Sequence, residues 1–318
     1  MVNKQKVFFR ADAGVQIGYG HFIRTLALAD MLKEDFKCTF FTQSPSAYQL
    51  DQAAEVCPVV ALPSDDTRFD LFLSYLAGDE IVVLDNYFFT SDYQLKIKGK
   101  GCKLVCIDDM HDKHYYADIV INHTITNSEL FDTELYTKLC LGFSYALLRN
   151  PFLERLASQC IKGRWFVSFG GSDYLNLTGK YISYLESSSS VNSIVVVIGD
   201  SYCYKDSLCQ YKKVIVKQNL SAEQMADEMS LAEYAVLPSS SVCIEALACG
   251  CKVASGYFVD NQIEFSQKLE REKYVFGLGN LTSVQDSTLI EKIVKFDYNK
   301  TNPFEGVRKR YIEVFKNL

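Results

Sequence analysis

Phe9-Arg10-Ala11-Asp12-Ala13-Gly14-Val15-Gln16-Ile17-Gly18-Tyr19-Gly20-His21 is the stretch on which the reading of this chain turns. An apolar run, Lys6 to Phe9, leads into a loop with three glycines, and the loop ends on a histidine. Beyond it Phe22, Leu26 and Ala29 recur at steps of four and three, the spacing of one helical face. A glycine loop between strand and helix lets the backbone approach a ligand closely and aims free N–H groups at an anion. His21 therefore stands where a phosphate would bind. A helix N-terminus disfavours a protonated ring there, and a neutral imidazole is what a general base requires. The spacing Gly14-x-x-x-Gly18-x-Gly20 is neither the dinucleotide fingerprint nor the Walker loop. Geometry alone also accounts for glycines in such loops, so the motif needs support from elsewhere.

The chain has 318 residues, too many for one ordinary domain and comfortable for two of roughly 150. Hydrophobic residues make up 48% and charged residues 23%, a globular composition. The net charge of -6 argues against nucleic acid as a partner. No apolar run is long enough to span a bilayer, and Met-Val-Asn-Lys-Gln-Lys lacks a signal-peptide core, so a cytoplasmic protein is expected. Eleven cysteines occur without a C-x-x-C pair, which points to reduced, mostly buried thiols and no structural zinc.

Strand-like and helix-like segments alternate. Lys6–Arg10, Cys38–Thr42, Glu80–Leu84, Lys103–Ile107 and Ile119–Asn122 read as strands of one open parallel sheet. A second series runs through Trp165–Phe169, Ser193–Ile198, Val214–Lys217, Tyr234–Leu237 and Lys252–Ser255, with a helix from Ser221 to Ser230 among the intervening patterns. The expectation is an α/β chain of two Rossmann-like, doubly wound domains, 1–150 and 151–318, facing a cleft. Pro303 to Leu318 reads as a helix with Pro303 near its first turn, with a return to the first domain left open.

In the second half, Gly170 and Gly171 follow a strand, as glycines do in the first half. Pro238-Ser239-Ser240-Ser241-Val242-Cys243-Ile244-Glu245 follows another strand and opens a helix that Gly250 ends. The serines suit either helix capping or an anion, and Glu245, one turn in, suits ribose hydroxyls. Asp260-Asn261-Gln262 is either a turn or a sugar-binding pair of amides. Tyr87, in Asp85-Asn86-Tyr87 at the end of the third strand, either packs or reaches a ligand. Asp108-Asp109 and His111-x-x-His114 raise a metal site, but no third ligand is placed, and loop orientation is the preferred reading.

Taken together these residues resemble the PseG hydrolases of pseudaminic acid biosynthesis, which act on UDP-2,4-diacetamido-2,4,6-trideoxy-β-L-altropyranose. The resemblance lies in Arg10-x-Asp12-x-x-x-x-Ile17-Gly18-x-Gly20-His21, in Gly142-Phe143-Ser144-Tyr145-Ala146-Leu147-Leu148-Arg149, in Gly170-Gly171-Ser172-Asp173, in Ser240-Ser241 with Glu245, and in Asn261-Gln262-x-Glu264. It runs to about residue 280 and implies two domains of the GT-B type, related to the MurG class. It implies His21 as the catalytic base, and Gly18, Gly20, Tyr87, Asn261 and Gln262 around the sugar. It places Gly170, Gly171, Leu220, Ser240, Ser241 and Glu245 around UDP, with no metal and no cofactor. The family often has His where this chain has Asn86, and the tail beyond residue 280 is longer than the family pattern. The implied reaction is inverting hydrolysis of a UDP-sugar. A GT-B glycosyltransferase with a sugar or lipid acceptor, and a non-catalytic nucleotide-sugar binder, are the alternatives.

Overall fold

The computed structural model describes residues 4–14, 19–124, 126–154, 160–171 and 173–318. The chain divides into two units, Met1–Asn150 with Pro303–Leu318, and Pro151–Asn302.

The first unit carries β1 (Lys6–Ala11), α1 (Gly20–Leu32), β2 (Lys37–Gln43), α2 (Ala47–Ala53), β3 (Val59–Leu62), α3 (Thr67–Ser74), β4 (Ile81–Asp85), α4 (Ser91–Gly99), β5 (Lys103–Ile107), β6 (His114–Tyr115), β7 (Ile119–Asn122), β8 (Asp132–Thr133) and β9 (Lys138–Leu141). Seven strands form one sheet in the order β3-β2-β1-β4-β5-β7-β9, and every neighbouring pair is parallel. Its central strands are apolar runs because helices cover a parallel sheet on both faces. All five residues of β4, Ile-Val-Val-Leu-Asp, are buried. Phe22, Leu26 and Ala29 of α1 are buried, as their spacing requires.

The second unit follows a short helix, α5 (Asn150–Glu154), with β10 (Ile161–Val167), α6 (Leu177–Glu186), β11 (Ser193–Ile198), β12 (Val214–Gln218), α7 (Ala222–Leu231), β13 (Ala232–Pro238), α8 (Ser241–Ala248), β14 (Lys252–Tyr257), α9 (Ile263–Arg271), β15 (Val275–Asn280) and α10 (Leu289–Lys295). Its sheet runs β12-β11-β10-β13-β14-β15, again with parallel neighbours. Buried Trp165 of β10 stacks on Tyr234 of β13 with centroids 4.6 Å apart. In each unit the strand order reverses beside the first strand, between β1 and β4 and between β10 and β13. Ligands of open α/β sheets bind beyond the carboxyl ends of strands at such switch points.

Five strands lie outside the sequence reading: β3, β9, β15 and the two-residue strands β6 and β8, which pair with each other. β3, β9 and β15 are sheet edges that mix buried with half-buried or exposed residues; lysine or glycine interrupts β9 and β15, and β3 is only four residues long. Consequently Tyr87 follows the fourth strand of the first unit, not the third. The last helix, α11 (Val307–Lys316), starts after Gly306 at φ +73°, so Pro303 precedes it by a turn rather than standing in its first turn. This helix packs in the first unit: Tyr311 donates to the Tyr145 carbonyl at 2.6 Å and Arg310 Nε to that of Ser144 at 2.8 Å. The second domain accordingly ends at Asn302, not at Leu318. Gly142 to Arg149 thus serves in part as the seat of α11. Eight of the eleven cysteines are buried, and burial pushes the Cys38 and Cys57 thiols up to about 12. Among the described residues, no helix is long and apolar enough to cross a membrane.

Arg10 and Asp12 of the opening motif turn inward. Both are fully buried and pair through two hydrogen bonds, and Asp12 Oδ1 also accepts the Gln43 N–H at 2.7 Å. Asp12→Ala would strand a buried guanidinium and is expected to cost about 3–5 kcal/mol in urea unfolding. Asp66→Ala, which removes an exposed partner of Arg68, is expected to cost under about 1 kcal/mol in the same measurement.

Candidate active site

At the switch point of the first unit, Asp85 is the last residue of β4, and His21 lies in the first turn of α1. His21 Nδ1 is 2.7 Å from Asp85 Oδ1. Arg24, one helical turn beyond His21, forks onto the same carboxylate, Nε to Oδ2 and Nη2 to Oδ1, both at 2.6 Å. Thr25 Oγ1 donates to Oδ2 at 2.8 Å. Burial alone would raise the Asp85 carboxyl, but the charge and hydrogen bonds of Arg24, then the contact with His21, outweigh it and hold it at about 2. An ionised carboxylate only accepts, so Nδ1 carries a proton, and the tautomer this fixes has its lone pair on Nε2.

Arg24 Nη1 reaches both oxygens of Asp109 at 2.7 Å, and Tyr87 donates its hydroxyl to Asp109 Oδ2 at 3.3 Å. The Tyr87 ring meets that of His21 edge-on, centroids 4.6 Å apart, and half of Tyr87 is exposed. Burial and then Asp109 push its hydroxyl up to about 12, so it remains a donor at neutral pH. Asn86 points the other way: its Oδ1 accepts the Asp12 N–H at 2.7 Å and its Nδ2 donates to the Asp12 carbonyl at 3.3 Å. Gly20 is exposed at the start of α1, whereas Gly18 lies outside the described residues. Asp108 accepts the N–H groups of Met110 and His111, and His114 meets Asp132 and Glu134. The pair Asp108-Asp109 therefore orients loops and the arginine.

In the second unit the remaining candidates follow the carboxyl ends of parallel strands: Gly170 and Gly171 after β10, Leu220 after β12, Ser240 and Ser241 after β13, Asn261 and Gln262 after β14. One sheet edge gathers them. Gly170 has φ +91°, a conformation that favours glycine. A Cβ on Gly199, which follows β11, would stand 2.6 Å from the Gly171 Cα, so the two loops touch backbone to backbone. Ser240 makes no side-chain cap bond to α8, and Ser241 is exposed, so the capping reading fails for Ser240. Ser239 instead bonds Ser255. Glu245 is buried in α8, and Leu220 is half-buried. Gln262 Oε1 accepts the Phe258 N–H at 3.2 Å, a turn-holding role, while Asn261 is exposed. Asp173 accepts the N–H groups of Leu177 and Thr178 and so caps α6.

Sequence reasoning missed Asp85 and Arg24 as partners of His21. The i, i+3 spacing of His21 and Arg24 on one helix was the available signal. Gly199 was also missed, although it follows a strand as Gly170 does.

No protein-family profile matches the chain. Over 291 residues it is 28% identical to an uncharacterized protein, MJ1062, of Methanocaldococcus jannaschii, covering 85% of this chain and 57% of that protein. The chain thus spans little more than half of that relative's length. Over 277 residues it is 26% identical to the UDP-2,4-diacetamido-2,4,6-trideoxy-beta-L-altropyranose hydrolase of Campylobacter jejuni, covering 85% of this chain and 97% of that protein. That is the PseG hydrolase to which the sequence motifs pointed. Among solved structures, MurG of Acinetobacter baumannii matches with a TM-score of 0.65 at 11% identity, covering 99% of this chain and all of that one. The chain has the GT-B, glycosyltransferase-like fold.

The depressed Asp85 carboxyl links stability to pH. As pH falls, the unfolded chain takes up this proton first, near the ordinary carboxylate value, so the stabilisation is complete above about pH 5 and is lost toward pH 2. Unfolding titrations below about pH 5 read the stability gap between wild type and Asp85→Asn. It should narrow by about 2–3 kcal/mol as pH falls to 2.

Proposed function

We propose that this chain hydrolyses a UDP-linked 2,4-diacetamido-2,4,6-trideoxy sugar at its anomeric carbon and releases UDP with inversion. The observation that carries the reading is His21, whose Nδ1 is held by Asp85 at a sheet switch point and whose Nε2 meets no hydrogen-bond partner among the described residues. The relative of 26% identity over nearly its whole length bears the name of that activity. In this reading Nε2 takes a proton from water as the water oxygen bonds to C1. The bond between C1 and the diphosphate oxygen breaks, and UDP leaves with the electron pair. Base assistance of this kind is worth roughly 100- to 10,000-fold.

The labour divides between the units. The first supplies the base, with Gly20 and Tyr87 beside the sugar. The second holds the nucleotide with the amides of Gly170 and Gly171, the start of α8 at Ser240 and Ser241, the Leu220 backbone and the Glu245 carboxylate. Asn261 and Gln262 serve the sugar there. Oriented amides stabilise the leaving diphosphate without rearranging as charge develops. No Asp-x-Asp motif occurs at a suitable place, so the reaction is taken to be metal-independent. A glycosyltransferase is the second reading, favoured by the likeness in fold to MurG.

Purified protein in EDTA is expected to release UDP from UDP-2,4-diacetamido-2,4,6-trideoxy-β-L-altropyranose, with proton NMR showing the inverted anomer first. Release only on addition of a sugar or lipid acceptor would establish the transferase instead. His21→Ala is expected to keep its affinity for UDP while turnover falls by about 100-fold or more; undiminished turnover would remove His21 as the base.

A further inference from the structure

An ionised aspartate beside a histidine has two effects that pull apart. It fixes the ring by accepting from Nδ1, and it stabilises the imidazolium, which is no base. The charged and titratable groups around His21 are Asp85 from β4, Arg24 from α1, Tyr87 from the segment after β4, and Asp109 from the segment after β5. Arg24 touches Asp85, Asp109 and His21 itself. Its Nε and Nη2 occupy both oxygens of Asp85, its Nη1 is held by both oxygens of Asp109, and its Nη2 stands 3.2 Å from His21 Nδ1. Both atoms of that last contact carry protons, so it places positive charge against the ring. Asp109 is the more solvent-accessible of the two carboxylates, with its side chain 29% exposed against none for Asp85. Its charge is the better screened.

We infer that Arg24 is a positioning residue that offsets the charge of Asp85, so that the carboxylate orients the His21 ring without drawing a second proton onto it. Asp109 fixes the plane of the guanidinium, and Tyr87 closes the ring of contacts back to His21. The inference rests on the reading of His21 as the base, but its first test needs no substrate.

Long-range proton–nitrogen NMR on the full-length chain reads the tautomer and titration of each of its four histidines, with His21 assigned by its loss in His21→Gln. In the wild type, neutral His21 is expected to carry its proton on Nδ1. In Arg24→Gln the titration midpoint of His21 is expected to rise by at least about one pH unit, and Arg24→Lys, which keeps the charge, should bring it back toward the wild-type value. The acid limb of kcat/KM should move with the midpoint. An unmoved or lowered midpoint in Arg24→Gln would overturn the inference. If that variant does not fold, Asp109→Asn serves in its place: it leaves the fork on Asp85 intact and should lower the midpoint, and a rise would be fatal to the inference. Failure of the hydrolase reading would appear separately, as absence of wild-type turnover with the NMR response intact.

Discussion

The Asp85 carboxylate is the constraint on which the polar cluster of the first unit depends. It ends a strand that is buried along its whole length, so water cannot solvate it. A lone ionised carboxylate in that position would be heavily penalised. Four donors from a single helix meet it instead: His21 Nδ1, Arg24 Nε and Nη2, and Thr25 Oγ1. Charge-assisted bonds of this length are strong and directional. They fix the first turn and a half of α1 against the end of β4, in rotation as well as in height. The same bonds that offset the desolvation of Asp85 therefore place His21 at the point where the strand order reverses.

How much of this was legible in the sequence followed physical lines. The central strands announce themselves because both faces are covered and their runs are mostly apolar; β3, β9 and β15 do not, being short or interrupted by lysine and glycine at half-wet edges. The glycine loop and His21 were readable from local order. Their partner was not, since Asp85 lies 64 residues away and pairs through sheet topology that no local pattern encodes. Arg10 and Asp12 show the opposite difficulty. They stand in the opening motif and look like chemistry, yet they are a buried ion pair joining β1 to the end of β2. The motif mixes residues turned into the core with residues gathered at the switch point, and spacing does not separate them.

The two switch points are built from different materials. The first gathers titratable side chains, two carboxylates, a guanidinium, an imidazole and a phenol. The second gathers backbone amides, hydroxyls and side-chain amides at Gly170, Gly171, Ser240, Ser241, Asn261 and Gln262. Asp173, in the segment that follows the glycines, turns both oxygens to the amides that open α6. A carboxylate in the glycine segment thus serves the scaffold. That division fits the proposed roles, proton transfer in the first unit and anion binding in the second.

Asn86 settles what a departure from the resembled family means. Where that family often has His, this chain needs one side chain that accepts from the Asp12 N–H and donates to the Asp12 carbonyl. A primary amide does both from one planar group, with donor and acceptor on the same carbon; an imidazole has its two nitrogens on different edges of the ring. Asn86 is buried and committed to joining the ends of β1 and β4, so it offers nothing to a sugar. Tyr87, the next residue, is half-exposed and leans on His21. In the proposed reading, selectivity exercised by this segment comes from Tyr87 and from Asp109, which holds its hydroxyl, and not from the position where the two sequences differ.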